Sequence, residues 1–154
     1  MDKNHAWDPR KFMIIGLGND IVSTVRIEKI IEKFGSRFES RVFSESERAL
    51  AWKRGSPCIR TYSSRWASKE AFVKALGTGI STGISWKDIV VKNLPSGKPV
   101  LFVSGVAANY LDEIIPNGLE AVVHLTISDD IPWVNAVVII EARRSLPKQF
   151  KFSK

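Results

Sequence analysis

The chain has 154 residues, 44% apolar and 25% charged, a composition and length that fit one soluble core and exclude a fibrous or disordered protein. A single cysteine, Cys58, excludes an intrachain disulfide and a multi-thiolate metal site, and two histidines, His5 and His124, make a multi-histidine zinc site a poor reading. The formal net charge of +7, from 23 Lys and Arg against 16 Asp and Glu, points to an anionic partner: nucleic acid, a phosphorylated small molecule or an acidic protein.

The opening stretch MDKNHAWDPRKF lacks the apolar centre of a secretory signal, so a cytoplasmic location is expected. No window approaches the roughly 20 apolar residues of a membrane span. The run FMIIGLG, 12–18, reads as a buried strand entering a tight turn. Ser23 or Thr24 then caps a helix with Ile27, Ile30, Ile31 and Phe34 on one face, and Gly35 ends it. Ser44-Glu45-Ser46-Glu47 is a capping-box pattern opening a short helix in which Ala49, Leu50 and Trp52 are expected to face inward. After Gly55-Ser56-Pro57, a longer helix is expected from about Ile59 to Leu76, stopped by Gly77.

Beyond it the character changes. Residues 88–94 and 99–103 read as a hairpin around Pro95-Ser96-Gly97-Lys98, followed by a helix through AANYLDEII that stops at Pro116-Asn117-Gly118. Residues 121–128 and 134–141 complete the pattern as two strands around an Asp129-to-Pro132 turn. The fold class expected is α+β, one domain over 13–142 with a mainly antiparallel sheet. Residues 1–12 read as an extension and residues 143–154 as a basic tail.

Two segments can carry chemistry. In Gly16-Leu17-Gly18-Asn19-Asp20 the third glycine of a dinucleotide fingerprint is replaced by Ile21, so the turn serves better to aim Asp20 at a site from a rigid strand. Capping of the next helix is the ordinary reading of Asp20. In the long helix, Ala67, Ala71 and Ala75 make a small-residue stripe. Glu70 and Lys74, four apart, sit beside it, and Lys69 points elsewhere. A Glu70–Lys74 surface pair is the ordinary reading. The helix, however, leads into Gly77-Thr78-Gly79, whose bare backbone can approach a phosphate. A carboxylate, two ammonium groups and a glycine loop suit a metal-bridged pyrophosphate, and two carboxylates suffice for magnesium. His124, alternating with Val123 and Leu125, reads by itself as a satisfied core histidine.

These segments resemble one family, the holo-acyl-carrier-protein synthases, which are the short phosphopantetheinyl transferases. The resemblance runs from Met13 to about Glu141. It rests on Gly16-Leu17-Gly18-Asn19-Asp20-Ile21-Val22 with Arg26, and more specifically on the run from Arg65-Trp66-Ala67-Ser68-Lys69-Glu70 through Lys74 to Gly77-Thr78-Gly79. Supporting pieces are Arg41-Val42-Phe43-Ser44-Glu45-Ser46-Glu47, Ser85-Trp86-Lys87-Asp88-Ile89, Gly97-Lys98-Pro99 and His124-Leu125-Thr126-Ile127-Ser128. Asp129 followed by Asp130 departs from the family, which often has His there, and adds negative charge near the cleft mouth.

The resemblance implies transfer of phosphopantetheine from coenzyme A to a serine of an acidic acyl carrier protein, for fatty acid synthesis. It implies that Asp20 and Glu70 hold Mg²⁺ and that Lys74 contacts the phosphates. Arg65, Lys69, Gly77, Gly79 and His124 look like cofactor-binding positions, with Arg65 and Lys69 as supports on the same helix. Arg26 looks like a docking residue for the carrier protein. A homotrimer with sites at subunit interfaces is implied as well. The serine proton goes to Glu70, Asp20 or a metal-bound water, and the residues do not choose. A basic nucleic-acid module is the competing reading, but no nucleic-acid motif supports it and no strand interleaves aromatic with basic residues.

Overall fold

The computed structural model describes residues 12–53, 55, 58–80 and 83–144. Most of the expected extension and basic tail therefore lies outside the described residues. Strand β1, Phe12–Ser23, runs straight into helix α1, Thr24–Phe34, which Gly35 terminates. Helices α2, Ser36–Val42, α3, Glu45–Lys53, and α4, Cys58–Leu76, follow in turn. A 3-10 turn at Trp86–Asp88 leads into the hairpin of β2, Ile89–Asn93, and β3, Pro99–Val103. Helix α5, Gly105–Ile114, precedes the long hairpin of β4, Glu120–Asp130, and β5, Trp133–Arg143. The fold is α+β with antiparallel pairing throughout, a sheet of order β1-β5-β4 and a separate β2-β3 ribbon.

Alternation along β5 decides which face of the main sheet is buried. Val134, Ala136, Val138 and Ile140 are fully buried against α4, as a period of two requires when one face meets a helix. The opposite face is open and carries exposed apolar side chains among polar ones. Leu17 is 66% exposed, Ile21 56% and Trp133 54%, and by register they share that face with Val137 and Ile139.

The expected turn at Gly16-Leu17-Gly18 is continuous strand. These glycines serve close packing: a Cβ on Gly16 would collide with the Ala75 carbonyl oxygen, and one on Gly18 with that of Ala71. The alanine stripe of α4 thus lies directly on the backbone of β1. A second correction concerns α3, where Trp52 is 67% exposed and the buried residues are Glu47 and Ala51. The capping box forms as expected: Ser44 N–H donates to Glu47 Oε2 at 2.8 Å and Glu47 N–H to Ser44 Oγ at 3.3 Å. The helix turns its Glu47 side inward because that carboxylate finds a buried cation, which apolar periodicity does not reveal.

On the far side of α4 from the main sheet an aromatic cluster fills the interior. Phe38, Phe43, Tyr62, Trp66 and Trp86 stack at centroid distances of 4.5–5.8 Å, each such pair contributing about 0.5–1.5 kcal/mol beyond its area. Helix α4 is held between glycine backbone on one side and this cluster on the other.

Candidate active site

Lys74 Nζ donates to Asp20 Oδ1 at 2.7 Å and to the Asn19 carbonyl at 2.9 Å. The expected helix-surface pair with Glu70 does not form. Close seating of α4 on Gly16 and Gly18 brings β1 nearer to Lys74 than a helix-internal reading allows. Asn135 Nδ2 donates to the Asp20 carbonyl at 3.2 Å, tying this part of β1 to β5. The Asp20 side chain is 15% exposed and that of Lys74 52%, so the pair sits at a rim with the carboxylate inside and the ammonium reaching out.

Glu70 is half-buried, one turn before Lys74. Burial pushes its carboxyl above the usual range and the neighbouring Asp20 charge pushes it further, while Lys74 and Arg26 oppose the shift. Two carboxylates close enough to repel, with two cations around them, form one electrostatic unit. Arg26, expected at a docking surface, stands within reach of this unit from α1. It also lines a groove of about 530 Å³ with Val25, Lys29, Ile30, Lys33 and Phe34.

A divalent cation fits this donor set. Among the described residues no cluster of three or more His, Cys, Asp or Glu side chains could form a complete protein cage. Magnesium needs none, since it binds through one or two carboxylates and takes its other oxygens from water and phosphate. Asp20 and Glu70 supply such a pair, and Lys74 Nζ on Asp20 Oδ1 shows that a positive charge is favoured there.

Lys69 and Arg65 leave α4 in other directions. Lys69 is fully buried and donates to Glu47 Oε2 at 2.8 Å, the Val42 carbonyl at 2.8 Å and the Trp86 carbonyl at 3.0 Å. An ammonium has three N–H groups, so all are used inside the protein. A cofactor contact from Lys69 does not fit this geometry; the side chain is a support. Burial pushes its ammonium down in pKa, against the pull of Glu47. Arg65 is 3% exposed and Nη2 donates to Asn93 Oδ1 at 2.5 Å, toward β2.

Gly77 and Gly79, at φ +76° and +68°, take the left-handed conformations that glycine allows. Between them Thr78 Oγ1 is buried with no hydrogen-bond partner among the described residues. His124 is no core histidine. It is half exposed, and Nε2 lies 2.6 Å from Glu141 Oε2. By register His124 is opposite Ile139 on the open face of the sheet, whereas Asp20 is opposite Ala136 on the covered face. Within one chain the two are on opposite sides of the sheet.

Two features escaped the sequence reading. Glu47 showed only as a cap, although its Oε1 also accepts the Val91 N–H at 3.0 Å. Asp129, at the departure from the family, is gripped by Arg60, whose Nε and Nη2 both donate to it, the latter at 2.7 Å. These hydrogen bonds hold the Asp129 carboxyl below the usual range, and Arg60 offsets the extra negative charge at that corner.

Residues 16–127 match the family model of the 4′-phosphopantetheinyl transferase superfamily. A holo-acyl-carrier-protein synthase of Ruegeria sp. is 50% identical over 135 residues, covering 88% of this chain and 94% of that protein. The solved holo-acyl-carrier-protein synthase of Neisseria meningitidis is similar at a TM-score of 0.72 and 35% identity, over 83% of this chain and 98% of its own. That of Bacillus anthracis, solved in complex with CoA (3′,5′-ADP), gives 0.68 and 37% over 86% and 99%.

Proposed function

The chain belongs to the 4′-phosphopantetheinyl transferase superfamily, and we propose that it transfers the 4′-phosphopantetheine of coenzyme A to a serine of apo-acyl carrier protein through Asp20, Glu70 and Lys74. The observation that carries the residue assignment is the convergence of two carboxylates from different elements with the Lys74 ammonium 2.7 Å from one of them.

In this reaction the serine oxygen bonds to the β-phosphorus of coenzyme A, the bridging P–O bond breaks and adenosine 3′,5′-bisphosphate leaves. Negative charge develops on phosphate oxygens, so preorganised positive groups lower the barrier. Asp20 and Glu70 would hold Mg²⁺, which would supply charge neutralisation on the pyrophosphate. Lys74, half exposed at the rim, turns from Asp20 to the phosphate oxygens when substrate enters. The serine proton goes to Glu70, Asp20 or a water at the site, all of which lie beside the reacting phosphate in this arrangement. The Gly77-Thr78-Gly79 loop lies along the cofactor, and the buried Thr78 hydroxyl is a donor available to it. Arg65 supports the helix from the β2 side.

The enzyme works as a homotrimer. The exposed Leu17, Ile21 and Trp133 on the open face of the main sheet support self-association. The position of His124 also supports it, since a histidine on the face opposite Asp20 serves the cofactor of a neighbouring copy. Arg26, Lys29 and Lys33 along the α1 groove receive an acidic carrier protein and speed its approach. Among the described residues no helix is long and apolar enough to cross a membrane. The enzyme works in the cytoplasm and primes carrier protein for fatty acid synthesis.

The test is intact-mass measurement of apo-acyl carrier protein after incubation with the enzyme, coenzyme A and Mg²⁺. The carrier gains one phosphopantetheine. An unchanged mass with a carrier that a known synthase modifies rejects the reading.

A further inference from the structure

Lys69 and Glu47 are both fully buried and 2.8 Å apart, an arrangement whose desolvation makes it weak evidence for stability. What the pair does hold is position. Lys69 engages the Val42 carbonyl at the end of α2 and the Trp86 carbonyl of the 3-10 turn. Glu47 takes the Ser44 N–H before α3 and the Val91 N–H of β2. Four segments are thereby fastened to α4 at the residue immediately before Glu70.

We propose that the Lys69–Glu47 pair is a positioning device that fixes the rotation of α4 and hence the placement of Glu70 and Lys74 against Asp20. The proposal rests on the assignment of Asp20 and Glu70 as the metal-holding carboxylates. Contact with Gly16 and Gly18 sets the distance between α4 and β1, but small smooth residues resist rolling poorly. Lys69, about 100° around the helix from Glu70, supplies that resistance. A roll of about 10° moves a carboxylate on a helix of this radius by about 1 Å, and such a misplacement costs up to about a hundredfold in rate. Trp86, whose carbonyl Lys69 holds, also walls a pocket with Arg41, Ile80, Ile84 and Ser85.

The test is the double variant Lys69→Met/Glu47→Leu, which removes both charges and strands neither. Thermal unfolding, kcat, KM for coenzyme A, and Mn²⁺ affinity by electron paramagnetic resonance are measured on the full chain. The expected result is a folded protein with kcat lowered about tenfold or more, KM changed less than kcat, and weaker Mn²⁺ binding. A kcat within about twofold of the parent, or a lower kcat with Mn²⁺ affinity unchanged, overturns the proposal. Where the double variant does not fold, Glu47→Gln is judged by the same criteria. Asp20→Ala is run alongside: full turnover by that variant defeats the metal assignment itself. Loss of turnover there, with an unaffected double variant, defeats only the positioning role.

Discussion

Lys74 reaches across the seam between α4 and β1 to Asp20 at 2.7 Å, although Glu70 lies one turn away on its own helix. The pair joins the strand and helix that carry the candidate chemistry, and of the two site carboxylates it leaves Glu70 with no ion pair to a described residue.

Replacing either carboxylate should abolish transfer and leave the fold. For Asp20→Ala and Glu70→Ala the intact-mass assay is expected to show at least about a hundredfold loss of rate. Thermal unfolding should stay near that of the parent, since neither side chain is part of the apolar core. Near-normal turnover by either variant would falsify the metal assignment.

Glu70→Gln should raise the unfolding temperature at neutral pH in metal-free buffer. The folded-state pKa of Glu70 lies above its unfolded value, because burial and Asp20 disfavour the charged form. The folded chain therefore holds the proton more tightly, and stability is lost as pH rises from the unfolded pKa through the folded one. The penalty grows as pH rises between the two values, so the gain from Gln grows with it. It should vanish on acidification below the ordinary glutamate range. Melting curves across pH with and without chelator check this, and a gain that persists in acid contradicts it.

Gly18→Ala should destabilise the protein although it adds one methyl group. The new Cβ meets the Ala71 carbonyl and the Ala75 amide, both helix backbone that cannot swing aside. Overpacking of this kind costs typically about 1–3 kcal/mol, and here it also pushes α4 from β1. Denaturant unfolding is expected to show a lower midpoint and the assay a lower kcat. An Ala at 18 with parental stability and rate contradicts the close approach.

Arg26→Glu should act on the carrier protein more than on coenzyme A. The residue is exposed on the basic α1 groove, so charge reversal repels an acidic partner and weakens as salt rises. It also removes a cation near Glu70, which predicts a smaller fall in kcat. Steady-state kinetics with each substrate varied in turn separate the two effects; equal changes in both KM values argue against docking.

Charge on the open sheet face should break the proposed trimer and lower activity together. Leu17→Asp with Ile21→Lys places two charges on side chains that are 66% and 56% exposed in a single chain. Light scattering is expected to report a smaller particle than the parent, with circular dichroism unchanged. A parental mass for this variant would remove the support that this face lends to a trimer.

Much was legible before any coordinates. The elements came out in order because apolar periodicity, capping residues and turn residues are local signals, and Gly35, the Ser44–Glu47 box and Gly77 terminate or open helices as local chemistry requires. Asp20, Glu70 and Lys74 take their candidate roles from the resemblance to the family, since spacing alone reads them as a cap and a surface pair. Other assignments needed tertiary contact. Gly16 and Gly18 look like a turn until Ala71 and Ala75 are laid on them. Lys69 looks like a cofactor ligand until Glu47 and two carbonyls are found around it. The face that His124 takes depends on the register of β4 against β5. Local sequence determines which residues share a turn, a cap or a face of one element. Which element meets that face, and which charge a lysine finds there, is settled by long-range packing, because an ion pair forms with the nearest desolvated partner in space rather than along the chain.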